Sequence, residues 1–474
     1  MKRLWLFLLS LALVIVFSAS AFAVDVKFSG EYYAAGMYLD KVGLNKSGYM
    51  YYPIKDFTPT PTTINSGETS TAFYFQRLRV QTDFIVSQGL KLVTQFDAME
   101  RAWGASRSKT DLPDSRSIAT RAENENIAFD MAYIYYESPI GLFQVGYMPD
   151  WGWGTVFADS EKNNPTLGVI QYILPIEPVI LSATYYKLLD GNHTAVNSSS
   201  TATDSDVDKY MLGLTYGYET NFEAGILYEY MRVAAAKPVP VFGYVLKGMG
   251  FAPYFKAKYG PVYVEGELIY AWGKLEWEIP SDMTGPDQDL QILLGYLNVG
   301  ANLGMFYVGG TFAYVSGDDP GTKDKREDGF GVLDGGRDFN PCLIMFNEEL
   351  SYWAGPLYGY GDNLFNTSVN GSPMKNVWFI QGKAGLRPTD KLDIMASVSF
   401  ARADQKPTED WKHKNYGWEV DLTATYKLTN NLSYMLGAGY FFTGDYYKGC
   451  NGDDNPDADL SDDLLVINKL TLTF

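Results

Sequence analysis

Phe75-Gln76-Arg77-Leu78-Arg79-Val80-Gln81-Thr82-Asp83-Phe84-Ile85-Val86 alternates polar residues with apolar or small ones from Arg77 to Phe84. That is the period of a strand, not of a helix. Leu78, Val80, Thr82 and Phe84 fall on one face, and Arg77, Arg79, Gln81 and Asp83 on the other. After Ser87-Gln88-Gly89 the pattern resumes over 90–101, with Leu92, Thr94, Phe96 and Ala98 set against Lys91, Gln95, Asp97 and Arg101. Two such runs around three turn residues predict a hairpin with one oily and one charged face. In a soluble sandwich the oily face is a core and the charged face meets solvent. In an outer-membrane barrel the oily face meets lipid and the charged face lines water.

The same alternation recurs over 127–136, 222–233, 254–259, 262–272, 378–387, 392–400, 418–426 and 434–442. Between these runs the connections alternate in length. Tight ones lie at 87–89, 139–141, 175–178, 219–221, 260–261, 303–304, 389–391 and 428–431. Long polar ones lie near 41–70, 105–124, 149–165, 190–208, 237–247, 280–289, 318–375, 404–414 and 446–462. Short turns on one rim and long loops on the other are the habit of a bacterial outer-membrane barrel. Aromatic pairs such as Tyr32-Tyr33, Tyr185-Tyr186 and Tyr446-Tyr447 fall near strand ends, where interfacial girdles are expected. The chain ends in Phe474, with Leu472 and Leu470 on its face, a spacing that resembles the carboxy-terminal signal read by the barrel-assembly machinery.

Leu290 to Gly317 carries no charge and is long enough to be mistaken for a membrane helix, but it holds glycines at 295, 300, 304, 309 and 310. Each would weaken a helix by about 1 kcal/mol relative to Ala, so this stretch is read as two strands turning at Leu303-Gly304. Eight short and nine long connections give an all-β, antiparallel, up-and-down transmembrane barrel of about eighteen strands, with sixteen as the alternative. Such a barrel is wide enough for an aqueous channel. Lys2 and Arg3 before an apolar run to Phe17, then Ala21 and Ala23, predict an export signal over 1–23 with cleavage after Ala23. Residues 24–474 then form one barrel domain in the bacterial outer membrane. Lipid, lipopolysaccharide and the assembly machinery are its expected partners.

Composition removes several other classes. The formal charge of −18 argues against nucleic-acid binding. Two His and two Cys leave little for a zinc cluster or a disulfide-dense scaffold. His193 and His413 both fall in predicted loops, so no hydrolytic centre, and no enzyme activity or cofactor, is expected.

Taken as lumen, the charged faces offer Arg77, Arg79, Lys91, Arg101, Lys256, Lys258, Lys383 and Arg387 against Asp83, Asp97, Asp130, Glu229, Glu265, Glu267, Glu419 and Asp421. Fixed charges of this kind set which solutes pass. Arg77, Arg79 and Arg101 form the densest basic patch, or else pair with Asp83 and Asp97 as a wall network. The third long loop carries Asp150, Trp151, Trp153, Phe157 and Asp159 in an aromatic, glycine-rich run, and is the candidate for a constriction folded into the pore. Asp453, Asp454, Asp457 and Asp459 in the last loop could attract calcium, although Ala458 and Leu464 occupy the positions where an EF-hand needs Gly and Glu. The default there is a solvated acidic tip with no metal. Cys342 and Cys450 lie in two different long loops, and an exported protein permits a bridge between them.

The run Phe75-Gln76-Arg77-Leu78-Arg79, Val145-Gly146-Tyr147 leading to Gly152-Trp153-Gly154-Thr155-Val156-Phe157-Ala158-Asp159, and the block from Glu419-Val420-Asp421 to Phe441-Phe442-Thr443-Gly444-Asp445-Tyr446 resemble the alginate-export-like outer-membrane porins. The resemblance covers about a third of the chain in short pieces. It implies an eighteen-stranded monomeric barrel with an arginine-rich lumen for anionic polysaccharide. This chain departs from that pattern in its lumen, where the charges are mixed in sign. The function expected is passive diffusion of small hydrophilic solutes or ions. Export of an anionic exopolysaccharide, or a surface adhesin or structural barrel, are the alternatives.

Overall fold

The computed structural model describes residues 24–41, 43–44, 46, 70–104, 127–149, 152–157, 166–190, 205–235, 243–277, 286–329, 335–336, 339–355, 357, 359–360, 374–451 and 459–474. The predicted export signal at 1–23 lies outside them.

The strands run in chain order as β1 (Asp25–Leu39), β2 (Thr71–Ser87), β3 (Leu90–Ala102), β4 (Ile127–Ser138), β5 (Gly141–Pro149), β6 (Thr166–Ile176), β7 (Val179–Leu189), β8 (Val207–Tyr216) and β9 (Phe222–Val233). They continue as β10 (Tyr244–Tyr259), β11 (Val262–Trp277), β12 (Gln288–Leu303), β13 (Phe306–Val315), β14 (Lys325–Arg326), β15 (Val377–Thr389), β16 (Leu392–Ala403), β17 (Asn415–Lys427), β18 (Leu432–Thr443) and β19 (Asp463–Thr473). The two-residue β14 lies parallel to β12 inside a loop, and β13 pairs directly with β15. The wall therefore has eighteen strands. Each is antiparallel to its neighbours, and β1 pairs with both β2 and β19. Closure leaves the sheet without a free edge, which a single sheet in hydrocarbon requires.

The uncharged stretch beginning at Leu290 folds as β12 and β13, paired from Leu294↔Val315 to Leu303↔Phe306. Gly304 takes φ 73° at the turn between them, a conformation other residues reach only under strain. At the seam Phe474 donates its N–H to the Gly30 carbonyl at 3.0 Å and accepts from the Gly30 N–H at 2.8 Å. The absence of a side chain at Gly30 leaves room for the Phe474 ring, which lies over it on the outer face. Leu470, Leu472 and Phe474 are all exposed there.

Alternation sorts the wall into two environments. Leu212, Ile170, Leu422, Ile380 and Val398 are exposed on the outside. Towards the turn rim this belt gives way to Tyr136, Tyr216, Phe222, Tyr259, Phe306 and Phe474, and towards the loop rim to Tyr74, Trp103, Trp378, Trp418 and Phe442. Two aromatic bands around an aliphatic belt match the profile of a bilayer. Adjacent tyrosines do not both join the bands, because neighbours on a strand face opposite ways. Tyr33 and Tyr186 are buried on the inner face. Tyr446 and Tyr447 are buried in a short 3₁₀ turn after β18, where they pack with Trp411 and Tyr416 rather than in a girdle.

Candidate functional site

The inner face carries the charges, and most of them are paired. Arg79 holds Asp97 through two bonds, Nε to Oδ1 at 2.8 Å and Nη2 to Oδ2 at 2.7 Å, with Asp130 at 3.9 Å. Lys91 meets Asp83 at 2.7 Å, Arg77 meets Glu100 at 3.7 Å, and Arg387 meets Asp393 at 2.8 Å. Across the barrel, Lys256 pairs with Glu223 at 3.3 Å and Lys209 lies 3.9 Å from Glu229. Glu265 accepts from Tyr296 and from Asn298, each at 3.0 Å. Lys258 faces Tyr263 near the turn rim, and Lys383 lies opposite Gly309 and Ser397. The wall is thus a network of alternating signs rather than an arginine track.

Arg101 is a correction to the expected lumen set. β3 carries one extra residue at Met99, whose φ is 55°, so Leu78 faces Ala98 but Gln76 faces Arg101. A bulge of this kind reverses the alternation beyond it. Arg101 therefore shares the outer face with Gln76, and Glu100 takes the inward position beside Arg77.

Two loop segments fold inward onto this wall. In the third long loop, the Trp153 indole N–H donates to the Ala252 carbonyl at 2.8 Å, and its ring meets Tyr254 edge-on. Thr155 donates to Glu267 Oε2 twice, from its N–H at 2.8 Å and its hydroxyl at 2.6 Å. Phe157 stacks on Tyr296 with centroids 5.1 Å apart and an interplanar angle of 5°. Glu267 is consequently only 5% exposed and anchors a loop instead of facing open water. Asp150, Trp151 and Asp159 lie outside the described residues.

The longest loop, between β13 and β15, supplies the second segment. Phe339, Ile344, Met345 and Phe346 are buried, with Phe339 edge-on to both Phe157 and Phe379. Helix α1 (Glu348–Ala354) follows, capped by the Asn347 side chain accepting from the Leu350 N–H. Its Trp353 stacks on Phe75 at 4.6 Å, and Glu349 meets Lys469 at 2.8 Å. This loop therefore lies inside the barrel along one continuous arc of the wall, from β15–β17 past β18 to β19, β1 and β2.

Glu419 and Asp421 are also corrections: expected to line the water path, they are 0% and 3% exposed. The Ile344 and Met345 N–H groups donate to the two oxygens of Glu419 at 2.7 and 2.6 Å, and the loop covers them. Reading the loops as polar tips misses this second segment. The signal was present in the apolar run Cys342-Leu343-Ile344-Met345-Phe346, out of character for an exposed loop.

Beside the inward loop and the β1–β5 wall lies a cavity of about 600 Å³. Tyr33, Arg77, Arg79, Asp130, Trp353 and Lys469 are among its lining residues. Tyr33 receives cations on its ring, with Arg77 at 5.2 Å and Lys469 at 4.2 Å from the centroid. The site combines paired charge with aromatic faces, which suits brief contacts with a hydrated solute rather than tight capture.

The expected bridge between Cys342 and Cys450 is absent; both thiols are free. Cys342 is a buried residue of the inward loop, its Sγ 3.2 Å from Ser399 Oγ on the wall, while Cys450 is exposed. Burial, then Glu419 and Asp421, hold the Cys342 thiol well above its ordinary range. A maleimide is therefore expected to label one thiol per folded chain, at Cys450, and two after denaturation. Fast labelling of both in the folded protein would contradict the inward loop. In the last loop, Asp459 lies 3.7 Å from Lys46 at the surface. Asp453, Asp454 and Asp457 lie outside the described residues.

A closed eighteen-stranded antiparallel barrel with an apolar outer belt and tight turns at one rim has the architecture of an outer-membrane β-barrel. No protein-family model matches the chain, and no curated relative matches it. The alginate-export-like resemblance thus gains no support. Among solved structures the chain is similar to Pseudomonas aeruginosa OccK9 (OpdG), at 13% identity and a TM-score of 0.49 over 95% of this chain and 99% of that one. It is similar to a BenF-like porin from Pseudomonas fluorescens Pf-5, at 10% identity and 0.49 over 94% and 99%. Pseudomonas aeruginosa OpdQ gives 11% identity and 0.48 over 96% and 100%.

Proposed function

We propose that the protein is a passive channel for small hydrophilic solutes or ions, with its lumen narrowed by the two inward segments. The carrying observation is that both segments are hydrogen-bonded to inner-wall carboxylates, Glu267 and Glu419, and that the α1 part of the longest loop borders a cavity lined by charged and aromatic side chains. Such a cavity retains water and admits a hydrated solute without requiring an energy source. The alternating wall pairs give a polyuronate no unbroken cationic track, which tells against polysaccharide export. Assembly through the Leu470, Leu472 and Phe474 signal, with lipopolysaccharide around the outer belt, belongs to the same proposal.

Planar-bilayer recording tests it. The expected result is a steady open channel whose reversal potential in a salt gradient is small, since opposite charges face the same water. A silent barrel in bilayers of normal insertion would favour the adhesin reading, and block by added polyuronate would favour export.

A further inference from the structure

Where the longest loop meets β17, Cys342 Sγ and one carboxylate oxygen each from Glu419 and Asp421 lie within 4.8 Å of one another, all buried. Asp421 Oδ2 accepts from Ser397 at 3.2 Å. The Leu343 N–H and the Glu419 carboxyl lie beside Asp421. Its Oδ1, shut off from solvent, nevertheless finds no donor at hydrogen-bonding geometry. Among the described residues, no Lys, Arg or His forms an ion pair with either carboxylate. Two buried carboxylates side by side need a counter-charge. A shared proton supplies one unit; a divalent cation supplies two and engages the thiolate as well.

We propose that Cys342, Glu419 and Asp421 bind one divalent cation of the zinc class, pinning the inward loop to the wall. A sulfur donor beside two carboxylates disfavours calcium and magnesium, which take oxygen alone, and suits zinc, which accepts S and O ligands together. Ser399 and Gln381 beside Sγ, and the Ile344 and Met345 N–H groups on Glu419, supply the outer bonds that hold such ligands in place. Binding converts the Cys342 thiol to thiolate, and its proton passes to solvent. The cation would tie strand to loop at the point where the loop turns towards α1.

The test uses the full chain in detergent, stripped by a chelator and titrated near neutral pH with zinc against a chromophoric competitor, and separately with cobalt. One equivalent of zinc is expected, and cobalt is expected to give thiolate charge-transfer absorption. C342S and D421N should each lose more than the about 10–100-fold in affinity that a second-shell change costs. C450S should bind as the parent protein does. Heat-modifiable migration of each variant establishes that the barrel is folded, so a loss cannot be ascribed to misfolding. No stoichiometric zinc uptake would leave the shared proton as the counter-charge and overturn the site. Equal binding by the parent, C342S and D421N would assign the metal to the exposed acidic loops and overturn it equally.

Discussion

Leu422→Arg is expected to destabilise the folded barrel in lipid by about 2–4 kcal/mol, the depth-dependent cost of a cation at the bilayer midplane. Leu422 lies mid-way along β17, opposite Ala396 and Ala438, and is 55% exposed. In a water-soluble sandwich an exposed leucine on a strand tolerates such a change within about 0.5 kcal/mol. The same side chain therefore reports which solvent the outer face meets. Leu428→Arg, beside the turn after β17, should cost only about 0–1 kcal/mol, since a charge near the interface reaches water. Urea titration of vesicle-refolded protein, read by heat-modifiable migration, measures both. Equal and negligible effects at the two positions would remove the lipid-facing belt, and the channel reading with it.

Glu267→Ala should free the third-loop segment. Oε2 is the acceptor for both the Thr155 N–H and its hydroxyl, and Thr155 is buried. Losing a charged acceptor and stranding a buried donor costs about 2–4 kcal/mol. That corresponds to a roughly 30-fold to several-hundred-fold fall in the docked population. Single-channel records should change from one steady level to fluctuation with a larger maximum conductance. Glu267→Gln keeps an oxygen in place and should lie between the two. A record unchanged in Glu267→Ala would mean that this segment does not bound the conducting path, and the two-segment constriction would be abandoned.

The barrel itself was legible because its signal is repeated. Each strand independently shows a period of two, and the alternating lengths of the connections fix up-and-down order without any tertiary information. The third-loop segment was legible for a different reason: tryptophans and a phenylalanine among glycines have no cause to face water. The longest loop escaped because its apolar run, 342–346, is short and embedded in polar sequence. Its inward course depends on a partner, the Glu419 carboxylate, that is distant in sequence. Arg101 escaped because a bulge is a property of hydrogen-bond register, and nothing in the polar–apolar pattern marks the extra residue at Met99. Pairing was the least legible: Asp83 takes Lys91, not an arginine, because cross-strand neighbours decide it.

The hydrogen bonds between Phe474 and Gly30 carry a consequence for biogenesis. β1 cannot complete its pairing until β19, its partner most distant in sequence, is in place, and only then can the cylinder shut. A product truncated by even one strand would present two raw sheet margins, each ready to recruit another chain. Such fragments should accumulate as insoluble periplasmic material or be degraded, whereas clipping a long surface loop of the finished molecule should leave the ring intact.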